Sequence, residues 1–166
     1  MVKKRLNVVR KGKNGERELA KVFKMYLGPS FERVPASGAR PKQVQLNKQA
    51  MEVFTGDLTT PDGFRFSIEC KSENVTINWF EDSAKVDSWI KQAVDDAKSV
   101  GKSPMVCWKM PRRGWIVIFA RNGYAPSDVG NYVIYKGKWF VCRLEKLLEV
   151  TKSHPEFWFP RTDHHD

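Results

Sequence analysis

Apolar positions recur along this chain with two different periods, and the changes of period mark its elements. Leu19, Val22, Phe23, Tyr26 and Leu27 repeat at i, i+3, i+4 spacing. They predict an amphipathic helix from a cap at Asn14 to about Leu27, stopped by Gly28-Pro29. Phe31-Glu32-Arg33-Val34 reads as a short strand. From Phe64 the period falls to two: Phe64, Phe66, Ile68 and Cys70 take one face, Arg65, Ser67, Glu69 and Lys71 the other. Pro61-Asp62-Gly63 has the composition of a tight turn, so the stretch 57–71 predicts a hairpin with a solvent-reachable polar face.

A second helical stripe, Val86, Trp89, Ile90, Ala93, Val94, Ala97 and Val100, follows a cap at Asp82 or Ser83 and ends at Gly101. Strands Met105–Met110 and Trp115–Ala120 come next, joined by Pro111-Arg112-Arg113-Gly114. A hairpin Tyr132–Tyr135 and Lys138–Cys142, turning at Lys136-Gly137, leads to a short helix over about Leu144–Val150. Residues 43–55 carry no pattern that decides between a loop and a weak helix. The element order predicts an α/β fold whose mixed central sheet is flanked by helices.

Length and composition bound this picture. The chain has 166 residues, 41% hydrophobic and 12% aromatic, enough for one domain with a sizeable core. Residues 1–13 hold six Lys or Arg with little helical pattern and read as a basic arm; 14–150 form the domain body, and 151–166 a tail. In that tail Phe157-Trp158-Phe159 must pack on the domain, on a second subunit or on bases, with core packing the expectation. Lys and Arg outnumber Asp and Glu by 29 to 19, a net +10, which favours a polyanionic partner, nucleic acid first. No membrane role is expected: no apolar run approaches the ~18 residues that span a bilayer, and no signal-peptide pattern follows the charged start. Cys70, Cys107 and Cys142 are odd in number and widely spaced, so they read as reduced core thiols of a cytoplasmic protein.

The candidate chemistry lies at Asp57 and at Glu69-Cys70-Lys71. Residues two apart on a strand share a face, so Glu69 and Lys71 stand side by side, and the hairpin can return Asp57 beside them. Glu-x-Lys on a strand is ordinarily a solvated ion pair. The hairpin, the basic composition and a third acid argue here for two carboxylates holding a divalent cation against a phosphate, the set of a metal-dependent nuclease. The third acid is Glu16, which at ~100° per residue projects within about 20° of Phe23, whereas Glu18 points to solvent. A core-side carboxylate needs compensation, from a metal or from the dipole of the helix start, and the spacing leaves both open. Asp62, although it follows a proline, reads as a turn residue. An oxygen donor set favours Mg²⁺, with Mn²⁺ as substitute, over zinc.

Arg10-Lys11-Gly12-Lys13-Asn14-Gly15-Glu16-Arg17-Glu18-Leu19 resembles the opening of archaeal-type Holliday-junction resolvases, also found in phages, of the PD-(D/E)XK nuclease superfamily. Phe31-Glu32-Arg33-Val34 with Ser37-Gly38, Gly56-Asp57, and Ile68-Glu69-Cys70-Lys71 are similar to that family's next strand and catalytic hairpin, and the likeness covers about residues 10–120. The resemblance implies a restriction-endonuclease-like core and a homodimer that cuts four-way DNA junctions with Mg²⁺. It implies metal binding by Glu16, Asp57, Glu69 and the Cys70 carbonyl, with Lys71 orienting water or stabilising phosphate charge. Arg17 and Arg33 would contact DNA phosphates, and Ser37 would lie near the scissile bond. From charge alone Lys11 and Arg40 join the backbone contacts.

The chain departs from the pattern in a longer stretch between Gly38 and Gly56, in Gly56 where proline is expected, and after about Val141. Gln92 resembles a helix glutamine near the metal in some relatives, but solvent exposure is the expectation. Paired nicks need two sites, so a two-fold dimer is expected, its apolar patch drawn from aromatics of 115–120, 132–142 or the tail. The rival readings are another PD-(D/E)XK DNA nuclease, of repair or restriction type, and an inert DNA-binding module. The intact acid-acid-lysine set speaks against the second. The location would be the cytoplasm, or a host's cytoplasm for a phage-encoded chain.

Overall fold

The computed structural model describes residues 2–35, 56–120 and 127–161. In chain order these form α1 (Val2–Leu27), β1 (Glu32–Arg33), β2 (Leu58–Thr59), β3 (Phe66–Lys71), α2 (Ala84–Ser99), β4 (Ser103–Met110), β5 (Gly114–Ala120), β6 (Val133–Tyr135), β7 (Trp139–Arg143) and α3 (Leu144–Val150). Short 3-10 turns follow at Thr151–Ser153 and Pro155–Phe157. Among the described residues five strands make one mixed sheet in the order β3-β4-β5-β7-β6. Within it β3 and β4 run parallel, with Glu69 opposite Val106 and Lys71 opposite Trp108. A parallel pair needs a crossover, and α2 supplies it. The expected α/β class, a mixed sheet flanked by helices, is the one observed.

Strand alternation sorts the core into two layers. Met105, Cys107 and Val117 face Leu19 and Phe23 of α1 and Leu144 and Leu147 of α3. Val106, Trp108 and Ile118 face Val86, Trp89 and Ile90 of α2. Ser83 caps α2 as read from sequence, its hydroxyl accepting from the Val86 amide at 3.3 Å. The β6–β7 turn, between the paired Tyr135 and Trp139, places Lys136 and Gly137 at φ 50° and 66°. Cys107 and Cys142 are buried in the core, as their apolar runs imply.

Three expectations are corrected. The stretch before Asn14 is helical: α1 begins at Val2 and passes the supposed cap at Asn14. Lys and Arg are good helix formers, so a basic run without an apolar stripe still extends a helix whose last half is held by packing. In the 151–161 part of the tail Thr151, Phe157 and Trp158 are buried. Core packing of the aromatics, the favoured alternative, is what occurs.

Residues 57–71 do not form a two-stranded hairpin. The turn exists, with the Phe64 amide donating to the Pro61 carbonyl at 3.2 Å and Gly63 at φ 73°. Yet β2 pairs with β1, and residue 56 meets Ile68 through a single parallel bridge. Finally, the polar face of β3 is not open along its length: α2 packs on this strand, and Ser67 and Glu69 are only 3% and 4% exposed, whereas Arg65 and Lys71 are half-buried. The next-strand expectation is met by Glu32–Arg33, while Ser37, Arg40 and the stretch 43–55 lie outside the described residues.

Candidate active site

β3 stands at the edge of the five-stranded sheet, and its outer side receives residues 56 and 57. The Asp57 amide donates to the Ile68 carbonyl at 2.8 Å, and the Cys70 amide donates back to Asp57 Oδ2 at 2.8 Å. Two backbone-anchored bonds therefore fix this carboxylate beside the end of the strand. Gly56 makes the approach possible. Its φ is 85°, and a Cβ there would sit 2.5 Å from the Ile68 carbonyl oxygen. Proline, locked near φ −65°, has no way into this conformation, which explains why glycine stands where the motif has proline. Gly56→Pro is expected to destabilise the fold by roughly 3 kcal/mol and to dislodge Asp57. Thermal unfolding and a cleavage assay check it; a fully active, equally stable variant would refute this account.

Glu69 lies under α2, its side chain 5% exposed. Lys71 Nζ donates to Glu69 Oε1 at 2.7 Å and to Gln92 Oε1 at 2.8 Å. Gln92 is exposed, as expected, and from there its side-chain oxygen also holds the lysine. Its position was legible, one row beside the buried Trp89–Ala93 stripe of α2.

Glu16 projects from α1 toward the same region, and its carboxylate pairs with Arg33 Nε, the two side chains 12% and 17% exposed. The core-side direction read from helix geometry is correct. Its partner, which sequence reasoning missed, is the arginine from the following strand. Arg33 is therefore turned inward onto Glu16. Arg17 is exposed, and Lys11 donates to Asn74 Oδ1 at 2.7 Å.

The electrostatics single out one acid. Burial, then the charge of Glu69, pushes the Asp57 carboxyl up to about 7, with Glu16 adding to the rise. Burial also raises Glu69, although Lys71 opposes it. Burial lifts the Cys70 thiol well above its usual range, so its sulfur stays neutral and only its carbonyl is a candidate ligand. Among the described residues no three His, Cys, Asp or Glu side chains form a ready metal-holding group. The donor chemistry nonetheless fits a hard divalent cation. A half-buried carboxylate, Asp57, and a buried one, Glu69, that repel each other, with a third nearby, are the arrangement such an ion relieves.

Asp62 is exposed in its turn and remote from these bonds, as expected. Asp62→Asn is predicted to cut at close to the wild-type rate, since Asn serves a Pro-x-Gly turn nearly as well. A dead Asp62 variant beside an active Asp57→Asn would reverse the assignment.

A family model described as "Phage putative PDDEXK endonuclease" matches residues 7–156. Among solved structures, a Holliday junction resolvase from the archaeal hyperthermophile Archaeoglobus fulgidus is similar at 19% identity, over 82% of this chain and 97% of that one, with a TM-score of 0.41. No curated protein matches. The family match runs from α1 to the 3-10 turns behind α3 and takes in Glu16, Asp57, Glu69 and Lys71: the chain belongs to this family of phage PD-(D/E)XK endonucleases, and its activity is that of a nuclease.

Proposed function

We propose that the chain is a Mg²⁺-dependent endonuclease that cuts branched DNA, four-way junctions above all, by paired nicks from a two-fold homodimer. The observation behind the reading is the half-buried Asp57 beside the buried Glu69, with Lys71 held at 2.7 Å from Glu69 and 2.8 Å from Gln92. A Mg²⁺ ion, or Mn²⁺ in its place, held by Glu16, Asp57, Glu69 and the Cys70 carbonyl, would supply Lewis-acid relief of phosphate charge and a more acidic water. The chain's own groups do the rest. Lys71, fixed by two hydrogen bonds, sets a localised positive charge where a phosphate oxygen gains charge. Cys70 donates its amide to Asp57 at 2.8 Å and so aims that carboxylate without competing for a cation. Arg33 neutralises Glu16 and reaches a DNA phosphate by letting go of it. Lys11, Arg17 and, outside the described residues, Ser37 and Arg40 would line the backbone path.

The test is cleavage of four-way, forked and linear DNA in Mg²⁺, Mn²⁺ and EDTA, with sedimentation of the protein free and DNA-bound. Symmetrically paired nicks by a dimer support the reading; a monomer that nicks one strand only would sink it.

A second reading, a PD-(D/E)XK nuclease of repair or restriction type, gains from one observation. Trp115, Phe119, Trp139, Phe140, Phe157 and Trp158, all offered as dimer patch, are buried in the chain's own core. Tyr132, 51% exposed, is what those stretches leave for a partner. Among the described residues no helix is long and apolar enough to cross a membrane. A cytoplasmic location, or a host's cytoplasm, agrees with thiols packed as core hydrophobes.

A further inference from the structure

The N-terminal half of α1 and the β4–β5 turn face each other across a groove of about 580 Å³. Arg10, Lys11, Lys109 and Arg112 line it, opposed by one acid, Glu18. Lys109 pairs with Glu18 and Lys11 donates to Asn74, whereas Arg10 and Arg112 present their side chains to solvent. The groove's lining includes Gly15 and Ser72, the chain neighbours of Glu16 and Lys71. Gly15, next to Glu16, lies so close to the end of β3 that a Cβ would fall 2.0 Å from Ser72 Oγ, and Ser72 follows Lys71. That Ser72 hydroxyl is buried and, among the described residues, has no hydrogen-bond partner. The segment beneath it is fixed, because Trp108 Nε1 donates to the Glu73 carbonyl at 3.0 Å.

The turn adds an independent observation. Arg112 sits at φ 62°, a left-handed conformation that Gly or Asn adopts more easily. A locally unfavourable residue is explained by what its side chain does. Arg143 Nη2 also donates to the Arg113 carbonyl at 2.9 Å, bringing a further guanidinium to the base of the turn.

We propose that this groove is a phosphate track that seats the sugar-phosphate backbone of a duplex DNA arm as it leaves the catalytic centre, with Arg10 and Arg112 as its solvent-facing charges. The identification of the polyanion as DNA rests on the nuclease reading above. Guanidinium and ammonium groups bind the phosphate oxygens of any sequence, so the track is expected to serve every sequence alike.

The experiment measures binding of the full chain to a duplex of about 20 base pairs, two turns of B-DNA, and to a four-way junction. Fluorescence anisotropy reads it, with Ca²⁺ in place of Mg²⁺, across a salt series. Arg10→Gln and Arg112→Asn are each expected to weaken binding several-fold at about 0.1 M salt. Each should also flatten the slope of log K against log salt by about one unit, and the double variant by about two. Arg112→Asn relaxes the turn, so its unfolding midpoint should hold or rise, which separates lost contact from lost fold. Lys138→Gln, in the distant β6–β7 turn, should leave the slope unchanged. Unchanged slopes in both groove variants, or an equal loss in Lys138→Gln, overturn the proposal. If the wild type cuts DNA while groove variants bind normally, the track fails and the nuclease reading stands. If the variants lose binding but the wild type cuts nothing, the track stands and that reading fails.

Discussion

Asp57→Asn, Glu69→Gln and Lys71→Ala are each expected to lower cleavage by more than about two orders of magnitude while leaving DNA binding nearly intact. The three groups meet at one end of β3, where Asp57 is tied to the Cys70 amide at 2.8 Å and Lys71 to Glu69 at 2.7 Å. Single-turnover cleavage beside anisotropy decides it, and wild-type-like turnover in any two variants sinks the assignment.

Asp57→Asn carries a second signature that does not depend on activity. The Asp57 carboxyl is raised from 3.8 to about 7 in the folded chain, first by burial. A raised carboxylate means the native state binds the extra proton between those values, so stability falls as pH rises through this window. The cost is complete above about pH 7 and absent near the ordinary carboxylate range. An asparagine side chain keeps an oxygen to accept from Cys70 and carries no charge. The metal-free Asp57→Asn variant should therefore melt higher than wild type at about pH 8, with the gap closing as pH is lowered toward about 4. Added Mg²⁺ should raise the wild-type midpoint at the higher pH and leave the variant nearly unmoved. A variant that melts lower than wild type there would contradict the buried-charge account.

Trp158→Ala is expected to cost about 3–5 kcal/mol, the largest loss of stability for a single change here. The indole is fully buried, stacked on Phe64 at 5.8 Å and edge-on to Phe23 and Phe66. Its Nε1 donates to Thr151 Oγ1 at 2.8 Å, and its carbonyl accepts from the Arg65 amide at 2.7 Å. Truncation would leave a cavity between α1 and the turn that leads into β3, and would remove the indole donor to the Thr151 hydroxyl, which itself donates to the Leu147 carbonyl at 2.6 Å. For a chain of this length the midpoint should fall by on the order of 10 °C, with Trp158→Phe recovering part of it. A fall of less than about 2 °C, under what even 1 kcal/mol would produce, would show that 151–161 only rests on the surface.

Sequence reading located the acids and the lysine because strand and helix periods are local properties. Two-residue alternation put Glu69 beside Lys71, and the helical period aimed Glu16 inward where its neighbours point out. The α2 cap, the glycines Gly114 and Gly137 at positive φ in the sheet turns and the separation of Asp62 from Asp57 follow from φ preferences and side-chain hydrogen bonds within a few residues. Which side of β3 α2 would cover is not local, and neither is what Glu69 loses by being covered. The inward pairing of Arg33 with Glu16 and the grip of Gln92 on Lys71 depend on elements 17 to 21 residues away closing on each other. Return of the C-terminal aromatics to α1 and β3 spans 92 residues at the Arg65–Phe157 contact, and no period along the chain encodes it. Residue order alone therefore settles which side chains can do the chemistry and on which elements they ride. Packing between distant segments settles that Asp57 reaches β3 by a parallel bridge through Gly56 and that its charge is desolvated. Both depend on distances across the fold and on the exclusion of water, which a local pattern does not carry.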